Sequence, residues 1–234
     1  MFQTIRKMPG FFKGVWDFVK NPKQKEAWEG AFNAQSGRQE IFLELLRVCS
    51  FDMILETGTF RGVTTSYMAT QSRLPVLSVE SEPQLWGYAW ARLLFLKNVK
   101  LKCMDSRVFL KLAFQKWCNE SQNLFFYLDA HWAQSLPLRE EVNHIFSKTK
   151  HAVIMIDDFF VTDDPGYQFD NYGEGKRLSM DYLGLPHGLA HVFFPTRPSS
   201  LETGAKRGCV VLCASEDKKQ ELQKITSLRE WKPQ

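Results

Sequence analysis

Met53-Ile54-Leu55-Glu56-Thr57-Gly58-Thr59-Phe60-Arg61-Gly62 is an apolar run that breaks into Gly-x-x-x-Gly just before a segment of helical pattern. Three later apolar runs, 76–80, 125–129 and 153–157, also close on acids: Glu80, Asp129 and Asp157. In an open parallel α/β sheet, ligands bind outside the carboxyl ends of the strands, near the topological switch point. Four acids at four such ends predict one polar crevice, where the function should lie.

Amphipathic stretches alternate with apolar ones on both sides of that run. Residues 35–49 read as a helix, with Ile41, Leu45, Leu46 and Val48 apolar and Arg38, Glu40, Glu44 and Arg47 polar. Then follow β1 (53–56), a helix over 63–72, β2 (76–80), and a helix over 83–96 that carries Pro83 near its first turn, a favoured place. Next come β3 (99–104), a helix over 106–117, β4 (124–128), a helix over 137–146, and β5 (152–156). A long polar loop with turns at Asp164-Pro165-Gly166 and Tyr172-Gly173-Glu174-Gly175 leads to a short helix over 176–183. Strands β6 (191–194) and β7 (209–213) and a closing helix over 216–228 complete the pattern.

Strands alternating with helices of this length mean βαβ units and a mostly parallel sheet. β6 and β7 are joined without a crossover helix and should form a hairpin, so one strand runs antiparallel. The expected architecture is α/β: a single Rossmann-like, doubly wound, seven-stranded domain over 35–234 with an antiparallel last strand. A basic, aromatic N-terminal helical arm over 1–34 precedes it.

The composition supports a folded domain. Of 234 residues, 44% are hydrophobic and 14% aromatic, including 19 Phe and 7 Trp, ample for a buried core and contrary to disorder. No apolar run approaches the roughly 18 residues of a membrane span. Lys13 and Asp17 interrupt the apolar stretch 11–19 and argue against a secretory signal. Five scattered cysteines suit a reducing, cytoplasmic setting better than a disulfide framework. Cys209 and Cys213, within Cys-Val-Val-Leu-Cys, read as core thiols.

The net charge of +4 is concentrated at one end. Arg6, Lys7, Lys13, Lys20, Lys23 and Lys25 stand against Asp17 alone in residues 1–25, giving +5 there and −1 over the remainder. So neutral a body argues against a nucleic-acid-binding domain. The alternation of Phe, Ile, Met and Trp with Lys and Arg over 1–20 is compatible with an amphipathic helix lying on an anionic membrane surface. The other reading, an arm that packs its aromatics on the domain, is favoured because Pro9-Gly10 should interrupt a long helix.

Gly58 and Gly62 stand where β1 turns into its helix. Glycine there lets backbone approach a ligand, and the helix N-terminus offers free N–H groups. The pattern Glu-x-Gly-x-x-x-Gly is not the dinucleotide fingerprint Gly-x-Gly-x-x-Gly, which disfavours a nicotinamide cofactor. Glu80, at the end of β2, stands where an acid would hold ribose hydroxyls. Asp105-Ser106 is placed to meet an adenine edge or, for Ser106, to cap the following helix.

A second constellation joins Tyr127-Leu128-Asp129-Ala130-His131-Trp132 to Met155-Ile156-Asp157-Asp158-Phe159. Three carboxylates converging in one crevice repel one another unless a cation neutralises them or one is protonated. Hard oxygen ligands of this kind suit Mg²⁺, which would lower the pKa of a substrate hydroxyl. His131 is placed to accept the proton, its free pKa being near neutral. Structural readings stand beside these: Asp157-Asp158 capping its loop, His131 satisfied internally, Trp132 as a lid or core aromatic. His144, His151 and His187 carry no spacing signal. The loop over 163–176 is long for a simple connection and suits an active-site lid, and Arg197, Lys206 and Arg207 could close the other side.

On these residues the chain resembles the class I S-adenosylmethionine-dependent methyltransferases from about residue 35 to its end. The resemblance implies that Glu56, Gly58 and Gly62 form the cofactor loop, with the methionine moiety along the backbone of Thr57, Thr59 and Phe60. It also implies that Glu80 binds the ribose, that Asp105 and Ser106 lie near the adenine, and that Asp129 sits close to the sulfonium and substrate. The strand-end acids further resemble the metal-dependent sugar O-methyltransferases of the macrocin type, which implies that Asp129, Asp157 and Asp158 hold Mg²⁺. In several of those enzymes a second Asp stands where this chain has His131, so an ion with a histidine base and a site that has lost its ion both stay open. The expected activity is methyl transfer to a hydroxyl of a small molecule or sugar, with a homo-oligomer possible. The alternatives are a non-catalytic cofactor-binding module docking through its N-terminus and a sugar-nucleotide modifying enzyme.

Overall fold

The computed structural model describes residues 2–21, 30–131, 136–186 and 188–232. Its centre is an eight-stranded sheet of order β3-β2-β1-β4-β5-β7-β6-β8. The strands are β1 Met53–Thr57, β2 Val76–Glu80, β3 Val99–Cys103, β4 Leu124–Leu128, β5 Ala152–Ile156, β6 His191–Pro195, β7 Val210–Cys213 and β8 Leu228–Trp231. β1 to β5 pair in parallel. The chain builds from β1 out to β3, then returns to lay β4 on the other side of β1. That reversal sets the switch point between β1 and β4, where a ligand crevice is expected.

Strand side chains alternate between two apolar layers, as a period of two requires. Leu55, Leu77, Phe126 and Ile154 meet Phe109, Leu110 and Ala113 of α5 (Ser106–Lys116) and Val142 and Ile145 of α6 (Leu138–Lys148). Ile54, Val76, Phe125, Tyr127, Val153 and Met155 meet Ile41, Phe42 and Leu45 of α2 (Ser36–Val48) and Met68 of α3 (Val63–Ser72) on the opposite face. Each such side chain, fully buried, contributes about 1.5–3 kcal/mol. The alternation also decides which helix each strand-end acid meets, because the side chain that follows an inward Ile or Leu points to the other layer.

The sheet differs from the seven strands expected. β7 is antiparallel to β5 and to β6, as the hairpin reading requires. A further strand, β8, adds antiparallel to β6 and begins at the last residue assigned to the closing helix, Leu228. That helix, α8 Glu216–Leu222, stops early, and the chain turns through Ile225, whose N–H reaches back to Leu222. Without β8, β6 would present a bare edge of unpaired N–H and C=O groups.

The N-terminal arm is one helix, α1 (Phe2–Lys20), with Pro9 inside it. The expected break at Pro9-Gly10 does not occur. α1 instead lies backbone to backbone on α4 (Pro83–Leu93): a Cβ on Gly14 would fall 1.8 Å from the Gln84 carbonyl oxygen, and one on Gly87 2.1 Å from that of Phe11. Phe11 packs on Trp86 with ring centroids 4.6 Å apart, and Phe18 on Tyr88 at 5.2 Å. Such packing outweighs the backbone hydrogen bond that proline forfeits. Among the described residues no helix is long and apolar enough to cross a membrane.

Candidate active site

The turn after β1 is shaped by contact with the turn after β4. Gly58 has φ +86°, and a Cβ there would lie 2.2 Å from the Asp129 carbonyl oxygen, so only glycine fits. Gly62, at φ 75°, precedes the first turn of α3. The Gly58 and Thr59 N–H groups both donate to the Val79 carbonyl, at 3.0 and 3.1 Å, tying the turn to β2. Glu80, buried at the end of β2, accepts from the Phe60 N–H at 2.8 Å and the Glu82 N–H at 2.9 Å. The Ser81 N–H also favours the carboxylate, and a carboxylate with about four acceptor positions still has room for a ligand hydroxyl. Burial raises the Glu80 pKa despite those backbone bonds. Glu56, which points to the α3 layer, accepts from the Thr65 and Ser78 hydroxyls, each at 2.5 Å. Burial pushes its carboxyl up to about 7, with both hydroxyls opposing the rise.

Asp105 is the N-cap of α5, accepting from the Arg107 N–H at 2.9 Å, and the Arg107 guanidinium holds it at 2.7 Å. The cap is therefore Asp105 rather than Ser106, and this carboxylate is committed to the helix start. Ser106 is buried and faces Glu141 of α6, a residue with no signal in the sequence. Glu141 is also buried, which pushes its carboxyl up to about 7 against the pull of Ser106 and of His131. Thr57 lies beside Glu141, and among the described residues Thr57 Oγ1, Glu141 Oε1 and His131 Nε2 are buried with no partner in hydrogen-bonding geometry. Buried polar atoms are rarely left so, and three near one strand end mark a place for a polar ligand or water.

Asp157 points to the α2 layer, where Arg38 emerges from an otherwise apolar helix face. Arg38 Nη1 and Asp157 Oδ1 form a buried ion pair. The Tyr127 hydroxyl donates to Asp157 Oδ2 at 2.5 Å, Asn33 Nδ2 donates to the same oxygen at 3.1 Å, and the Asp158 N–H donates to Oδ1 at 2.6 Å. Burial raises the Asp157 pKa, opposed by Arg38. Both oxygens are thus engaged by protein groups. Of the expected set Asp129, Asp157 and Asp158, Asp157 lies behind the other two; among the described residues the ligand atoms that face one another are those of Asp129, His131 and Asp158, all within 4.8 Å.

His131 is the centre of that group. Its Nε2 lies 3.8 Å from Asp129 Oδ1, 3.9 Å from Asp158 Oδ2 and 3.9 Å from Asp170 Oδ2, too far for hydrogen bonds. Burial lowers the imidazole pKa, but the carboxylates of Asp158, Asp157 and Asp170 outweigh it and the net shift is upward. Asp129 is raised well above its ordinary value by burial and by the charges of Asp157 and Asp158. Asp158 moves the other way, held below the carboxylate range despite its burial by His131 and Arg207.

Arg207 is the residue that the loop over 163–176 is built around. Its Nε donates to Asp158 Oδ1 at 2.6 Å and its Nη2 pairs with Asp170. The Tyr172 hydroxyl donates to Asp170 and lies 3.3 Å from the His131 carbonyl oxygen. Asp170 and Tyr172 of that loop thus lie beside His131 and Asp158. Arg197 instead pairs with Glu40 at the surface. Four carboxylates, those of Asp129, Asp157, Asp158 and Asp170, face two guanidiniums, Arg38 and Arg207, which leaves a deficit of two positive charges. A cation, or protons on Asp129 and His131, would relieve it. Trp132 and His187 lie outside the described residues.

No family model and no curated protein sequence matches the chain. Solved structures do match it in fold. The O-methyltransferase from Bacillus cereus, in complex with SAH, superposes with a TM-score of 0.56 at 15% identity, over 88% of this chain and 91% of that one. The O-methyltransferase TomG from Streptomyces achromogenes, involved in tomaymycin synthesis and in complex with SAM, gives 0.54 at 16% identity, over 88% and 89%. An rRNA methylase from Streptococcus thermophilus gives 0.50 at 17% identity, over 77% and 97%. The chain has the Rossmann-like α/β fold of methyltransferases, with antiparallel C-terminal strands.

Proposed function

We propose that this chain is an S-adenosylmethionine-dependent O-methyltransferase acting on a hydroxyl of a small molecule or sugar. The observation that carries the reading is the gathering of Glu56, Glu80, Asp129, Asp158 and His131 at the carboxyl ends of β1, β2, β4 and β5, beside the Gly58 turn. The buried Thr57, Glu141 and His131 atoms that lack hydrogen-bonding geometry among the described residues fit a polar ligand there, and the B. cereus and S. achromogenes structures of similar fold carry SAH and SAM. In this reading the methionine end lies along the backbone turn of Thr57–Phe60, where Gly58 and Gly62 let it approach, and Glu80 takes the ribose hydroxyls. The bound cofactor supplies an electrophilic methyl group. Ser106 borders the adenine with Asp105 behind it, and Asp129 stands nearest the reacting centre.

His131 accepts the proton of the acceptor hydroxyl at Nε2. The carboxylates of Asp129, Asp158 and Asp170 around that nitrogen stabilise the imidazolium that results. Arg207 fixes Asp158 and Asp170 in place, and Arg38 with Tyr127 fixes Asp157 behind them. Catalysis is mainly positioning, since a displacement needs nucleophile and leaving group in line. The five scattered cysteines fit a reducing cytoplasm.

A second reading of the same residues is favoured by the 4.8 Å grouping and the charge deficit: a divalent ion held by Asp129, His131 and Asp158, with Asp157 as a support. The two readings separate on one assay, transfer of labelled methyl from S-adenosylmethionine across a library of hydroxyl acceptors with and without chelator. With His131 as base, turnover survives chelation and falls at least about a hundredfold in His131→Ala. With an ion, turnover stops under chelation and returns with Mg²⁺ or Mn²⁺. No methyl transfer to any hydroxyl, with S-adenosylmethionine demonstrably bound, would leave a cofactor-binding module instead.

A further inference from the structure

α1 divides into three faces. Gly10, Phe11, Gly14 and Phe18 are turned inward onto α4. Asp17, the sole acid of the helix, is also turned inward, its carboxylate accepting from Gln84 Nε2 at 2.6 Å. Met8, Phe12, Trp16 and Val19 recur at helical spacing on another face and are 39%, 59%, 58% and 64% exposed. Lys13 and Lys20 are exposed beside them, and the Lys20 ammonium lies 5.1 Å from the Trp16 ring. Leu94 and Phe95, in the turn that ends α4, are exposed as well, Phe95 by 88%.

Water is a poor neighbour for such a stripe. Four large apolar side chains in a row, rimmed by lysine and with no outward acid, are unusual on a surface that meets only solvent. The charge of the chain says what covers them. Residues 1–25 carry +5 while all the rest carries −1, so the net positive charge of the chain lies at the end that bears the stripe. Apolar face, flanking lysines and an interfacial tryptophan are the features of a helix that lies in the headgroup region of a bilayer. Because α1 is fixed to α4 by backbone contacts at Gly14 and Gly87, docking needs no folding of the helix, only insertion of its outer face.

We propose that the outer face of α1, with Met8, Phe12, Trp16, Val19, Lys13 and Lys20, docks this protein on an anionic lipid surface. The claim is independent of the catalytic reading. The test is sedimentation of the full chain with vesicles of phosphatidylcholine alone and of phosphatidylcholine with phosphatidylserine in equal parts, with tryptophan emission read in parallel. Binding to the anionic vesicles only, weakened by salt and accompanied by a blue shift, is the expected result. The double variant K13Q/K20Q weakens binding about twenty-five-fold, a factor of about five for each charge removed. The double variant F12S/W16S abolishes both binding and blue shift while keeping the wild-type melting temperature, since both side chains point away from the core. Failure to sediment with either vesicle overturns the proposal. So does equal binding to both vesicles, or binding untouched by F12S/W16S. A dimer in analytical ultracentrifugation that F12S/W16S dissolves, without lipid binding, would assign the face to a second copy and overturn it too.

Discussion

At the scale of single residues, the acids of the crevice differ in what they are free to do. Arg38→Ala should cost about 3–5 kcal/mol in urea denaturation, because it strands Asp157 as an unpaired buried charge. R38A/D157N should recover part of that loss, and a loss as large in the double variant would mean the ion pair is not its cause. Glu141 contributes one pH dependence, beside that of Glu56. Its folded pKa, raised to about 7, lies above the ordinary 4.5. The native state therefore binds the proton more tightly, and stability is greatest below about 4.5 and is lost as pH rises through about 7. Glu141→Gln removes that dependence. The stability of the variant relative to wild type should rise by about 3 kcal/mol between pH 4.5 and pH 8 in the ligand-free protein. Equal differences at the two ends would show that Glu141 is not a buried acid. The acids at the strand ends were legible in the sequence because each closes an apolar run. Their partners were not, since Arg38 reaches Asp157 from 119 positions away and Arg207 reaches Asp158 from 49. Spacing carries no trace of a contact made by the fold.

At the scale of elements, the alternation of strand and helix was legible over the whole stretch from α2 to β5. Period-2 and period-3.6 patterns separate cleanly there, and strands buried on both faces leave uninterrupted apolar runs such as Leu124–Leu128. β8 was hidden because 216–228 continues a helical pattern, while what makes Leu228–Trp231 a strand is the open edge of β6, far off in sequence. α1 was misjudged at Pro9 for a like reason: Gly14 and Gly87 join two helices that lie some seventy residues apart. Gly14→Val should therefore lift α1 off α4 while the sheet stays intact. The expected signature is faster tryptic cleavage at Lys13 and Lys20 with the main unfolding transition little changed. Unaltered cleavage would mean that the close approach at Gly14 does not hold the helix.

At the scale of the whole molecule, fold and site meet at one place, the reversal of strand order between β1 and β4. Neutral over most of its length and basic at one end, the chain keeps its negative charge concentrated in that crevice, held short of full repulsion by Arg38 and Arg207. The most direct measurement is isothermal titration of S-adenosylhomocysteine into the wild-type chain and into Glu80→Ala. A single site per chain that weakens at least about tenfold in the variant, as loss of a charge-assisted hydrogen bond worth about 1.5–3 kcal/mol requires, is the predicted result. No heat from the wild type at high ligand concentration, or equal affinity in both proteins, would contradict it.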